Sequence, residues 1–270
     1  MFKTRLVSGI VLVLIALVVI ITGGPVLAAV LAVISLIGLR ELYHAVGVDD
    51  SVCGPLSMVG YLGCILYYAI VFFDQTAYTM TVLIGLLILL MAVYVFTYPR
   101  YRTEQVTSAF FGVVYVAVML SCIYELRIVE HGVYLVWLIF LASWGCDTCA
   151  YCVGMLIGKH KMSPKLSPKK SVEGAVGGVV GAAALGAVYA FAVSGQIGSG
   201  HAVSFALICA VGGLISMVGD LAASAIKRNH GIKDYGKLIP GHGGILDRFD
   251  SVIFIAPVIY GLAKMLVGKI

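Results

Sequence analysis

The chain has 270 residues, of which 61% are hydrophobic and only 11% charged. A soluble domain carries about 25% charged residues, so the composition excludes an ordinary water-soluble globule and makes the bilayer the solvent. The formal net charge of +5 is spread as a membrane topology and an anionic substrate would place it, and nucleic acid is not an expected partner.

The first apolar run, residues 6–23, follows Lys3 and Arg5 in the manner of a signal peptide. It is too long for one and further spans follow, so it reads as the first transmembrane helix. Runs over 25–45, 53–73, 80–98, 106–125, 132–157, 172–194, 202–226 and 250–268 follow. Lipid leaves every backbone group to be satisfied within the segment, and stretches such as residues 11–21 do not alternate as barrel strands do. The expected fold is all-α, a polytopic transmembrane bundle of about nine helices forming one integral membrane domain over 1–270. Residues 1–130 are its less informative part, and residues 131–270 carry the catalytic helices and loops.

An N-terminus on the inside places 15 of the 18 Lys and Arg on that face; Arg127, Lys264 and Lys269 fall outside. The expected topology is therefore N-in and C-out, in the cytoplasmic membrane, with two large basic segments at the cytoplasmic surface. The seven cysteines lie almost entirely in apolar runs and read as small helix fillers, Cys146, Cys149 and Cys152 included. Gly154 and Gly158, Gly174 and Gly178, and Gly177 and Gly181 are four apart, a spacing that suits close packing within the bundle or across a homodimer.

Two acids stand deep in apolar runs, Asp147 in the sixth and Asp220 in the eighth. A carboxylate at such depth costs a few kcal/mol and usually faces a polar cavity; the plainer alternative is an acid that pairs two helices. Ser224 and Lys227 stack on the face of Asp220 at helical pitch, with Arg228 beside them. A carboxylate, a hydroxyl and two cations in one stripe suit a metal-bound, phosphate-bearing ligand.

The segment 227–250 is rich in glycine and charge. Pro240-Gly241-His242-Gly243-Gly244 would free backbone N–H groups for phosphate oxygens. Asp247 and Asp250 share a face where the ninth helix opens, where Asp250 could also simply complement the helix N-terminus. Asp220 and Asp247 together are expected to hold Mg²⁺, a hard ion that favours carboxylates plus substrate phosphates. His242 joins this site or packs in its loop, and His230 reads as a solvated loop residue. A second basic stretch, 158–174, sets Ser167, Lys169, Lys170 and Ser171 at a helix N-terminus, an anion site beyond what topology alone requires.

These residues resemble a known family. Ser224, Lys227 and Arg228, then Lys233-Asp234, then Pro240-Gly-His-Gly-Gly-Ile-Leu-Asp-Arg-Phe-Asp250 look like the signature of the phosphatidate cytidylyltransferases. Trp144-x-x-Asp147-x-x-Ala-Tyr151 and Ser167-Pro-Lys-Lys-Ser-Val-Glu-Gly174 are similar to two further motifs of that family, so the likeness spans roughly the C-terminal half. The family often has Thr-Trp where Ser171-Val172 stand, small residues at Cys146 and Cys149, and a basic residue just after Gly154. The resemblance implies that CTP and phosphatidic acid give CDP-diacylglycerol and pyrophosphate with Mg²⁺. It implies metal-binding roles for Asp220 and Asp247, with Asp250 in support. Lys227, Arg228, Lys233 and Arg248 would neutralise phosphate charge. Ser167, Lys169, Lys170, Ser171, Ser224, His242, Gly243 and Gly244 would contact substrate, and Asp147 would line the polar cavity. Another CTP-dependent lipid phosphotransferase, such as a polyprenol kinase, is the neighbouring reading. An ion-coupled transporter using Asp147 and Asp220 is the rival from another class.

Overall fold

Apolar runs with no water to satisfy their backbones close their hydrogen bonds internally, and the computed structural model places a helix over each predicted span. It describes residues 2–49, 53–239, 241 and 243–267, with side chains from Ser8 onward. The long helices are α1 (Phe2–Thr22), α2 (Gly24–Ala45), α3 (Pro55–Phe72), α4 (Thr79–Phe96), α5 (Thr103–Ile128), α6 (Gly132–Ile157), α7 (Val172–Ala192), α8 (Ala202–Asn229) and α9 (Leu246–Leu266). Among the described residues eight of these, α2 to α9, are long and apolar enough to cross a bilayer, and the apolar part of α1 is the shorter Ser8–Thr22. The chain is an all-α polytopic membrane bundle.

Prolines open α2 and α3 within their first two positions, where the missing N–H has no helical partner to lose. Two helices carry wider turns: α5 passes through a π segment, Val113–Val118, and α6 through another, Leu141–Gly145, just before Asp147. Helix α8 runs to Asn229, past the apolar run that predicts it, and α9 starts at Leu246, four residues earlier than expected. Backbone hydrogen bonding continues where hydropathy stops, so the charged ends of both helices are helical.

Helices α6 and α7 are joined by an antiparallel hairpin that the sequence reading did not anticipate, β1 (Lys161–Ser163) with β2 (Ser167–Ser171), pairing Lys161 with Ser171 and Ser163 with Ser167. Glu173 fastens its base, accepting from the backbone N–H groups of Lys159 and His160 and pairing with the His160 ring at 2.5 Å. The paired glycines are used within this chain. A Cβ on Gly174 would lie 2.8 Å from the carbonyl of Ala150, on Gly177 2.5 Å from Val153, and on Gly181 2.5 Å from Cys149. The stripe is what lets α6 and α7 touch backbone to backbone.

By its contacts the chain divides into two compact units, one made of residues 1–124 and 229–248, the other of 125–228 and 249–270.

Candidate active site

In the second unit the site is built on α8. Asp220 forms an ion pair with Lys170 of β2, each side chain a little over a quarter exposed. Lys170 is placed by its neighbour: buried Ser171 caps α7, its hydroxyl accepting from the Gly174 N–H at 3.1 Å. That hydroxyl also lies where α6 and α7 cross, since a Cβ on Gly158 would come within 2.6 Å of it. Ser224 and Lys227 follow Asp220 along α8, half-buried, and Arg228 is exposed at its end. One residue before Asp220, Gly219 admits α9: a Cβ there would meet Phe254 at 2.7 Å and the carbonyl of Asp250 at 3.1 Å. The fold therefore brings Asp250, only 8% exposed, to the part of α8 that carries Asp220. The Asp250 carboxylate accepts from the N–H of Ser251 at 2.7 Å.

In the first unit the glycine-rich loop closes on Asp247, which is 7% exposed. One oxygen of that carboxylate accepts from the N–H groups of Tyr235 at 2.8 Å and Gly244 at 2.9 Å. The loop folds back through an isolated bridge between Ile239 and Gly243. Gly243 has a φ of +87°, and a Cβ there would sit 2.8 Å from the Asp247 carboxylate, so glycine is required on both counts. The Gly244 N–H thus serves the loop itself rather than standing open to a phosphate oxygen. Lys233 and Arg248 are exposed, as are Lys169 and, on α6, Asp147, while Ser167 is half-buried. His242 lies outside the described residues.

Sequence reasoning missed Glu41. This residue of α2 accepts from the N–H groups of Ile245 at 3.0 Å and Leu246 at 2.9 Å, one to each carboxylate oxygen. It borders a cleft of about 390 Å³ within the first unit, lined also by Arg40, His44, Asp49, Tyr61 and Lys237. The available signal was an acid near the end of an otherwise apolar run, which looks the same as an acid marking a loop.

A carboxylate inside α8 paired with a lysine, and buried carboxylates in the first turns of α9, are the kind of groups that an integral-membrane enzyme of phosphate chemistry uses. The chain belongs to the cytidylyltransferase family, whose model matches residues 3–266. It is 31% identical over 264 residues to the phosphatidate cytidylyltransferase of Staphylococcus aureus (strain COL), an alignment covering 95% of this chain and 97% of the relative. The enzyme of that name from Staphylococcus haemolyticus (strain JCSC1435) is 31% identical over 263 residues, with the same coverage. The chain is therefore a nucleotidyltransferase embedded in the membrane.

Proposed function

We propose that this enzyme transfers the cytidylyl group of CTP to phosphatidic acid, giving CDP-diacylglycerol and pyrophosphate. The observation that carries this is the likeness to phosphatidate cytidylyltransferases along 95% of the chain, which takes in both carboxylate clusters. An oxygen of the lipid phosphate bonds to the α-phosphorus of CTP, and the bond from that phosphorus to the bridging oxygen of the β-phosphate breaks. The lipid phosphate is already anionic near neutral pH, so no residue need act as general base. The obstacle is repulsion between two anions, and positioning beside cations is the remedy. Lys170, Lys227, Arg228, Lys233 and Arg248 are the cations assigned to that work, with Ser167, Lys169 and Ser224 close to the phosphates.

Asp220 and Asp247 are each assigned as a ligand to Mg²⁺, with Asp250 in support. Their surroundings suit that ion. Asp220 already holds a cation, the Lys170 ammonium. Among the described residues no group of three or more His, Cys, Asp or Glu gathers in the way that would form an all-protein metal cage. Magnesium commonly takes one or two carboxylates and completes its shell with water and substrate phosphates. When bound, the ion supplies charge neutralisation on those phosphates. The distribution of Lys and Arg supports an N-in, C-out topology with the active face towards the cytoplasm, where soluble CTP meets a lipid that stays in the bilayer.

The test is product analysis with CTP labelled at the α-phosphate, phosphatidic acid and Mg²⁺. Label in the lipid fraction is the expected result. A phosphorylated lipid with all the label left in CDP would assign the chain to the kinase type instead.

A further inference from the structure

We infer that Glu41 is a positioning residue for the catalytic loop: it fixes the start of α9, and through it Asp247, from a helix far away in sequence. This inference rests on the metal-binding role assigned to Asp247 above.

The first turn of a helix has N–H groups with no helical acceptor, and a carboxylate is the side chain with two anionic oxygens to offer them. Glu41 meets the N–H of Ile245 with one oxygen and that of Leu246 with the other, at 3.0 and 2.9 Å. One turn back on the same face of α2, Gly38 leaves room for the Leu246 side chain, which is 1% exposed; a Cβ at Gly38 would lie 3.2 Å from it. Residues 38 and 41 of α2 thus form a socket for the residue immediately before Asp247.

The loop is shaped around the same carboxylate. A Cβ on Gly236 would stand 2.4 Å from the nearer Glu41 oxygen, and one on Gly244 2.5 Å from both. Two glycines eight positions apart therefore leave room for one acid, and neither has a positive φ to explain it. Gly244 also donates to Asp247, and Tyr235, which precedes Gly236, donates to the same oxygen. Glu41 and Asp247 both hold the loop: the first sets where α9 begins, the second draws residues 235 and 244 together. Loss of Glu41 frees the start of α9 without touching any residue assigned to substrate except through backbone.

The experiment compares wild type, E41Q, E41A, G236A and the double variant E41A/G236A, purified in detergent. Metal binding is read with Mn²⁺ by electron paramagnetic resonance, and turnover with CTP and phosphatidic acid. Glutamine keeps the length but offers one oxygen for two donors, so E41Q is expected to weaken Mn²⁺ binding and raise the half-saturating Mg²⁺ by about tenfold or more. The KM for phosphatidic acid should hardly change. G236A alone should show the same defect. The double variant should be no worse than E41A, because removing the carboxylate removes the collision. Unchanged Mn²⁺ affinity in E41Q, or defects of E41A and G236A that simply add, would overturn the proposal. If E41A does not accumulate, E41Q and G236A still decide it through Mn²⁺ binding. If the wild-type protein binds Mn²⁺ but forms no lipid product, the proposed reaction fails, while the binding comparison still decides Glu41.

Discussion

Lys170→Met removes the ammonium that pairs with Asp220 and keeps an unbranched stem of similar length. The two side chains are 27% and 28% exposed, so the pair lies between exposed ion pairs, worth up to about 1 kcal/mol, and buried ones, which cost about 3–5 kcal/mol to break. An intermediate value of about 1.5 kcal/mol is roughly a tenfold change in an equilibrium constant. A divalent ion that uses Asp220 has to displace this ammonium, so the K170M enzyme should bind Mn²⁺ about tenfold more tightly than wild type. Turnover with CTP should move the other way, because the variant lacks a cation for the phosphates, and a loss of about tenfold to hundredfold is expected. The assay is Mn²⁺ titration followed by electron paramagnetic resonance, paired with incorporation of labelled CMP into lipid. Weaker or unchanged Mn²⁺ binding in a folded K170M protein would refute the idea that Lys170 and the metal compete for one carboxylate.

Asp247→Asn should leave the loop intact, since one amide oxygen can accept both N–H groups that the present oxygen takes. It should nonetheless cut transfer to below about one-hundredth of wild type, and near-normal activity would end the metal assignment. Asp220→Asn should be equally inactive in the lipid-labelling assay while the protein still accumulates in membranes. Lys227→Ala should chiefly raise the KM for CTP; an unchanged dependence on CTP concentration would remove it from the triphosphate. Ser171→Ala deletes the α7 cap and should cost about 1 kcal/mol of stability, seen as a lower unfolding temperature in detergent.

The bundle was readable from the sequence because bilayer spans are long, apolar and uninterrupted, and their backbones have one way to satisfy themselves. The ends were less readable for the same reason. Hydropathy falls away at Lys227 and Arg228, but the helix does not, and α9 begins at Leu246 while the sequence is still rich in glycine and charge. The glycine pairs of α6 and α7 could be recognised by their spacing, although spacing alone did not say whether their partner lay in this chain. The hairpin 161–171 was invisible: five lysines and two prolines between 159 and 170 give no apolar alternation, and its order comes from Glu173 and from Ser171 seated between helices. Of the candidate site, Asp220 stood out, with Asp147, as an acid where acids are expensive, and Asp247 and Asp250 as acids sharing one face where the last helix opens. Glu41 did not, because it acts on backbone N–H groups some two hundred positions away, and side-chain patterns carry no record of such a contact.

The close join between β2 and α7 has a consequence for where the charge of Lys170 can go. Ser171 ends the strand and caps the helix at once, so no slack lies between Lys170 and a helix packed backbone to backbone on its neighbour. A cation anchored in this way does not need a flap to carry it. Its four-carbon stem links the helix cap to the carboxylate of Asp220, and the ammonium at its tip is shut off from solvent. The hairpin is then a fixed mount, and the reach of the charge is the length of one side chain.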